Sequence, residues 1–139
     1  MVFKKITSLF ISKQTKSDKD FKKWIKLITG FNPKNISLYQ QAFFHSSVSV
    51  KRSGTIISNE RLEFLGDGIL ECVTKYLLYR RFPKSNEGFM TEKKIAIVKN
   101  ENIGKIAYEM GLHKWLIISR NAEEKKIRTN LKKLGCLFE

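Results

Sequence analysis

"NERLEFLGDGILE", residues 59–71, sets four carboxylates (Glu60, Glu63, Asp67 and Glu71) among leucines, an isoleucine and a phenylalanine. At about 100° per residue these acids form one stripe of a helix, stacked at i, i+3 or i+4. Leu62, Leu65, Ile69, Cys72, Val73 and Tyr76 form the opposite, apolar side. The pattern predicts a long helix running to about Arg81, stopped by Pro83 and anchored in the core by that apolar side. Like charges at such steps repel, and helix formation does not require them. A divalent cation would offset the repulsion, because Mg²⁺ takes hard oxygen ligands from one or two carboxylates and keeps several waters. The alternative is a solvated acidic face that balances a basic surface. Phe64 and Leu70 flank the stripe, which gives the acids partly apolar surroundings. Gly66 and Gly68 bracket Asp67, although glycine costs roughly 1 kcal/mol against alanine within a helix. They predict a second backbone packed close by.

Upstream, Phe21, Trp24, Ile25 and Ile28 recur at helical spacing, and Gly30 closes that helix. Residues 36–44 read as a second helix, and 45–58 as a Ser/Gly-containing loop. Downstream, 84–88 is a loop, and Thr91 is the expected cap of a helix over 92–99. Glu101 to Met110 forms another helix, closed by Gly111. Residues 112–119 fit a short helix or a strand, 120–130 are polar, and "LKKLGCLFE" (131–139) begins one more helix. There is no repeat, no low-complexity block and no hairpin signal. The expected fold is all-α.

At 139 residues the chain is one domain with room for a hydrophobic core. No apolar run reaches the roughly 18 residues of a membrane span. Two distant cysteines, Cys72 and Cys136, argue against a disulfide scaffold and for a reducing compartment. The net charge of +14, from 27 Lys+Arg against 13 Asp+Glu, favours a polyanionic partner, nucleic acid before anionic membrane. Residues 1–20 form a Lys- and Ser-rich tail without an acid before Asp18; a transit peptide is the minor alternative to a basic, RNA-facing tail in a cytoplasmic protein. Acids able to hold a metal, inside a positive field, point to phosphodiester chemistry. No cysteine or histidine cluster has zinc spacing, and no Gly-rich phosphate loop is present. His45 and His113 are isolated, and each reads as a cap or packing residue.

"NERLEFLGD" (59–67) resembles the signature helix of the ribonuclease III family over all nine positions. "LYQQAFFHSS" (38–47) is similar to the family's helix ending in His-x-Ser. "FPKSNEGFMTEKK" (82–94) is similar to its Phe-Pro, Glu-Gly, Thr-x-x-Arg segment, with Lys94 in place of arginine, and "VKNENIGKIAYEMGL" (98–112) to the next helix pair. The likeness spans about residues 21–139. It implies a single helical endonuclease domain that forms a homodimer, without a membrane or a small-molecule cofactor. It further implies double-stranded RNA as substrate, cut with Mg²⁺ (Mn²⁺ as substitute) in rRNA or mRNA processing. By the same resemblance Glu63 and Asp67 are metal ligands, Asp67 is catalytic, and Phe64 lies at the dimer interface. Glu60 matches a further acid of the signature and Glu87 the Glu of the Glu-Gly loop.

The family's second metal pair is an Asp and a Glu at i, i+3. Here the best match is "GCLFE" (135–139), in which Glu139 takes the Glu, as catalytic residue and ligand, and Cys136 stands at the Asp position. A thiol is a soft ligand and a poor partner for Mg²⁺. Compared with the family, the sequence also lacks a following apolar helix and a double-stranded-RNA-binding domain, which reads as C-terminal truncation. The expectation is therefore a Mg²⁺-dependent endoribonuclease. Its alternative is an inactive relative that binds structured RNA or the ribosome, and a basic helical interaction module is a third reading.

Overall fold

The computed structural model describes residues 18–52 and 54–139, so most of the basic tail proposed for 1–20 lies outside the described residues. Among the described residues seven α-helices carry the fold: α1 Asp18–Thr29, α2 Ile36–Ala42, α3 Glu60–Arg81, α4 Glu87–Ile97, α5 Asn100–Glu109, α6 Arg120–Glu124 and α7 Leu131–Phe138. Between α2 and α3 lies a hairpin of two strands, β1 Val50–Arg52 and β2 Thr55–Ile57. The pairing is antiparallel, with Val50 opposite Ile57. This corrects the expectation of a plain loop over 45–58. The turn is made at Gly54, whose φ of +80° suits glycine.

The core is built by α1, α5 and α7 with the segment after α5. Phe21, Ile25, Phe43, Ala107, Leu112, Leu116, Leu134 and Leu137 are its buried members. In α1, Phe21 and Ile25 recur on one face, with Trp24 and Ile28 packed beside them. Phe21 meets Phe43 edge-on at 5.5 Å and Trp115 at 4.9 Å between ring centroids. Such aromatic pairs add to the stabilisation from area burial. α5 and α7 cross at van der Waals distance because Gly104 faces the Leu131 backbone and Gly135 faces Asn100. A side chain at either glycine would hold the helices apart. The ambiguous stretch 112–119 resolves into a 3-10 turn, Leu112–Lys114, and a single parallel bridge between Ile117 and Phe44. The polar stretch after it contains α6 and a further 3-10 turn, Ile127–Thr129.

α3 runs as the sequence predicts, but its surroundings differ. Only Thr74 and Leu78 of this 22-residue helix are buried. Leu65 and Ile69 are 59% and 55% exposed, and Cys72, Val73 and Tyr76 are exposed with them. The apolar side of α3 is thus not seated in the core of this chain, which closes on α1, α5 and α7 without it. α4 begins at Glu87 rather than 92. Its cap is Asn86, whose Oδ1 accepts from Phe89 N–H at 2.9 Å, and not Thr91. An Asn at the cap satisfies one of the free N–H groups of the first turn, so the helix starts where that group is available.

Candidate metal centre

The N-terminal half of α3 meets the C-terminal end of α7. Between them lies a cleft of about 370 Å³ lined by residues that include Glu60, Glu63, Asp67, Cys136 and Glu139. Glu63, Cys136 and Glu139 present ligand atoms that all lie within 4.8 Å of one another. The meeting is permitted by Gly66. A Cβ there would overlap the Glu139 backbone, so only glycine lets the end of α7 settle onto α3. The second backbone predicted from the glycines is real at Gly66. At Gly68 it is absent: nothing lies within 4 Å of a Cβ placed there.

The electrostatics fit a cation. The Glu139 carboxyl is held above the ordinary carboxylate range, first by burial and then by the charges of Asp67 and Glu63. The Cys136 thiol is pushed up to about 11 by burial, by a hydrogen bond with Glu63 and by the charges of Glu63 and Glu139, against the opposing Lys133. Glu139, whose ionisation is made costlier by Asp67 and Glu63, forms with them an oxygen donor set that suits a hard divalent ion. Cys136, protonated at neutral pH, is not such a donor.

The structure separates the four acids of the opening stretch. Glu60 lines the cleft and accepts from Ser58 Oγ at 3.1 Å. Glu71 does not belong to the cluster. It pairs with Lys94 at 2.7 Å and with Lys75 at 2.9 Å, which hold its carboxyl down at about 2. Lys94 is thus where α4 is tied to α3. Glu87 lies outside the cleft, at the first turn of α4, where Thr91 Oγ1 donates to its Oε1 at 2.6 Å. It is carried there because α4 packs along the far half of α3, with Phe89 against Phe82 at 5.2 Å. Phe64 lines the cleft edge and is 85% exposed.

Sequence reasoning missed four contributors. His45 lines the cleft and also caps the 3-10 turn Ser46–Val48, its Nδ1 accepting from Ser47 N–H at 3.0 Å. Burial and Lys133 lower its basicity, so it is neutral near pH 7 with the proton on Nε2. Asn59 is buried beside it, its N–H donating to Phe44 O at 2.8 Å. Lys133 sits three residues before Cys136 on α7, a spacing readable in the sequence. Asn100 reaches Cys136 Sγ with its Nδ2 at 3.3 Å, a contact between helices that no local pattern encodes. His113 stacks on Tyr108 at 4.2 Å, the packing role expected of it.

Known proteins resemble this chain in sequence and in fold. The family described as ribonuclease-III-like matches residues 35–139. A ribonuclease 3 of Azobacteroides pseudotrichonymphae is 42% identical over 98 residues, 70% of this chain and 38% of that protein. One from Phocaeicola vulgatus is 49% identical over 86 residues, 61% of this chain and 28% of that protein. The chain therefore spans well under half the length of these relatives. Among solved structures, the ribonuclease III nuclease domain of Campylobacter jejuni superposes with a TM-score of 0.74 at 28% identity, covering 83% of this chain and 77% of that one. That structure is described as flexible in its region involved in dimer formation.

Proposed function

This chain belongs to the ribonuclease III family, and we propose that it acts as an endoribonuclease domain that cuts double-stranded RNA by metal-assisted phosphodiester hydrolysis. The observation that carries the reading is the convergence of Glu63, Asp67, Cys136 and Glu139 in one cleft of a chain with net charge +14. Glu63, Asp67 and Glu139 would hold the divalent ion, Mg²⁺ with Mn²⁺ as substitute. Bound there, such an ion polarises a phosphoryl oxygen and lowers the pKa of its water. The chain's own part is to gather and orient. Lysines, Lys133 among them, attract the phosphates with an affinity that falls as salt rises. His45 stays neutral and fixes the turn beside the cleft. Recognition through duplex shape, phosphates and 2′-hydroxyls gives broad sequence tolerance, in keeping with a role in rRNA or mRNA processing.

A second reading has its own observation. Cys136 stands beside Glu63 as a neutral thiol, and this would leave a domain that binds structured RNA or the ribosome without cutting it. Long double-stranded RNA incubated with the native chain and Mg²⁺ decides between them. Cleavage that stops on chelation and increases in Cys136→Asp is expected. Tight binding without cutting by the native chain, with cutting gained in Cys136→Asp, would favour the inactive reading.

We also propose a homodimer through the exposed apolar side of α3. Leu65, Ile69, Val73 and Tyr76 are large, share one side of the helix and are open to water, with Phe64 exposed beside them next to the cleft, which is the signature of an interaction surface. Ile69→Glu places a charge in that surface. Sedimentation should show the native chain at dimer mass and the variant at monomer mass at the same micromolar concentration. A native chain that is already monomeric would refute the interface.

A further inference from the structure

Cys136 is more than a lost oxygen ligand, because the structure gives its sulfur a place in the centre. We propose that this centre takes a thiophilic divalent ion of the Zn²⁺ type, through Cys136 Sγ together with carboxylate oxygens of Glu63 and Glu139. The inference rests on the reading that this cleft holds a divalent ion, and it adds, beside Mg²⁺, a second class of ion that Cys136 lets this chain hold.

Three donors from two helices converge within 4.8 Å of one another. Cys136 and Glu139 are i, i+3 at the end of α7, hence on one face, and Glu63 comes from α3 opposite. Three protein ligands with a fourth position left for water is the arrangement of catalytic zinc. A third helix sets the sulfur. Asn100, the first residue of α5, donates from Nδ2 to Sγ at 3.3 Å. Asn100 is itself fixed, since its backbone packs against Gly135 with no room for a side chain there. Outer groups of this kind orient a ligand and tune its affinity. Mg²⁺ gains nothing from a thiolate, whereas Zn²⁺ and Cd²⁺ bind it strongly, and zinc stands above manganese for a given donor set. On binding, the Sγ–H bond breaks, an Sγ–metal bond forms and one proton is released to solvent. Nothing is oxidised or reduced.

Cd²⁺ is the probe, because thiolate ligation gives an ultraviolet charge-transfer band. The experiment uses the full chain carrying Cys72→Ser, which removes the exposed second cysteine. Titration should raise the band to saturation at one Cd²⁺ per chain. Adding Cys136→Ser should remove it, as should Cys136→Asp, with circular dichroism showing both variants folded. Asn100→Ala should weaken Cd²⁺ binding by about 10- to 100-fold while keeping the band. Absence of the band in the parent, or its survival without Cys136, overturns the proposal. The nuclease reading fails separately. Cleavage with Mg²⁺ in a chain that shows no band would sink the thiophilic site and leave the nuclease. A saturating band in a chain that cuts no RNA with any added metal, and whose Cys136→Asp variant also cuts none, would leave the site and sink the nuclease.

Discussion

Cleavage of double-stranded RNA is expected to fall by about a thousandfold or more in Asp67→Asn and in Glu63→Gln, with the fold unchanged. Each substitution keeps the shape of the side chain and removes one negative charge from the cleft. Metal-borne charge stabilisation is worth several kcal/mol, and each 1.36 kcal/mol is about tenfold in rate. Losing a ligand forfeits most of that. Stability should change little, because Asp67 is exposed and Glu63 only partly buried. Relief of Glu139 from the charges of Asp67 and Glu63 acts in the stabilising direction. The Glu71→Gln chain is the matched control, since Glu71 is occupied by Lys94 and Lys75 on the helix surface. Initial rates on a long duplex, with melting curves alongside, separate the two groups. Undiminished cutting by Asp67→Asn would remove the acids of α3 from the chemistry.

Leu134→Ala is expected to cost about 2–5 kcal/mol of folding stability, the range for truncating a buried leucine to alanine. Leu134 is 0% exposed and belongs to the core cluster that α7 shares with α1 and α5. Little can collapse into the space left, because the adjoining Gly135 already holds α7 against Asn100 with no slack. Urea unfolding followed by circular dichroism reads the loss. A change below about 1 kcal/mol would mean that α7 is not held by this core. The same helix carries Cys136 and Glu139, so cleavage in the variant should fail at a denaturant concentration well below that of the native chain.

Much of this was readable in the residues. The period of residues 59–81 defined the longest helix and its acidic stripe, and the nine-residue signature identified the family. Glu63, Asp67 and Glu139 do line one cleft. Several features were misjudged, three of them because a neighbour decides the outcome. Apolar periodicity shows which side of α3 avoids water but not what covers it, and within this chain that side is left open. Glu71 looks like its three companions until α4 brings Lys94 to it. Thr91 is a good cap residue, yet Asn86 lies earlier in the chain and takes the position first. The hairpin is short and lacks an Asn-Gly or Asp-Gly turn, so its only local sign was Gly54 beside β-branched residues.

The dependence of the centre on Gly66 also fixes when in folding it can exist. Glu63 and Asp67 are separated along the chain from Cys136 and Glu139 by about seventy residues, a loop whose closure carries an entropic cost that only later contacts repay. The 22-residue α3 is long enough to wind locally, whereas the 8-residue α7 depends on its packing, and neither alone holds the cluster. The carboxylates converge only when α7 has docked on α5 and its end has slid onto the bare backbone of Gly66. Regain of the centre is therefore expected to coincide with the docking of α7 and not to precede it. A chain in which that contact has not formed keeps the two halves of its carboxylate cluster apart.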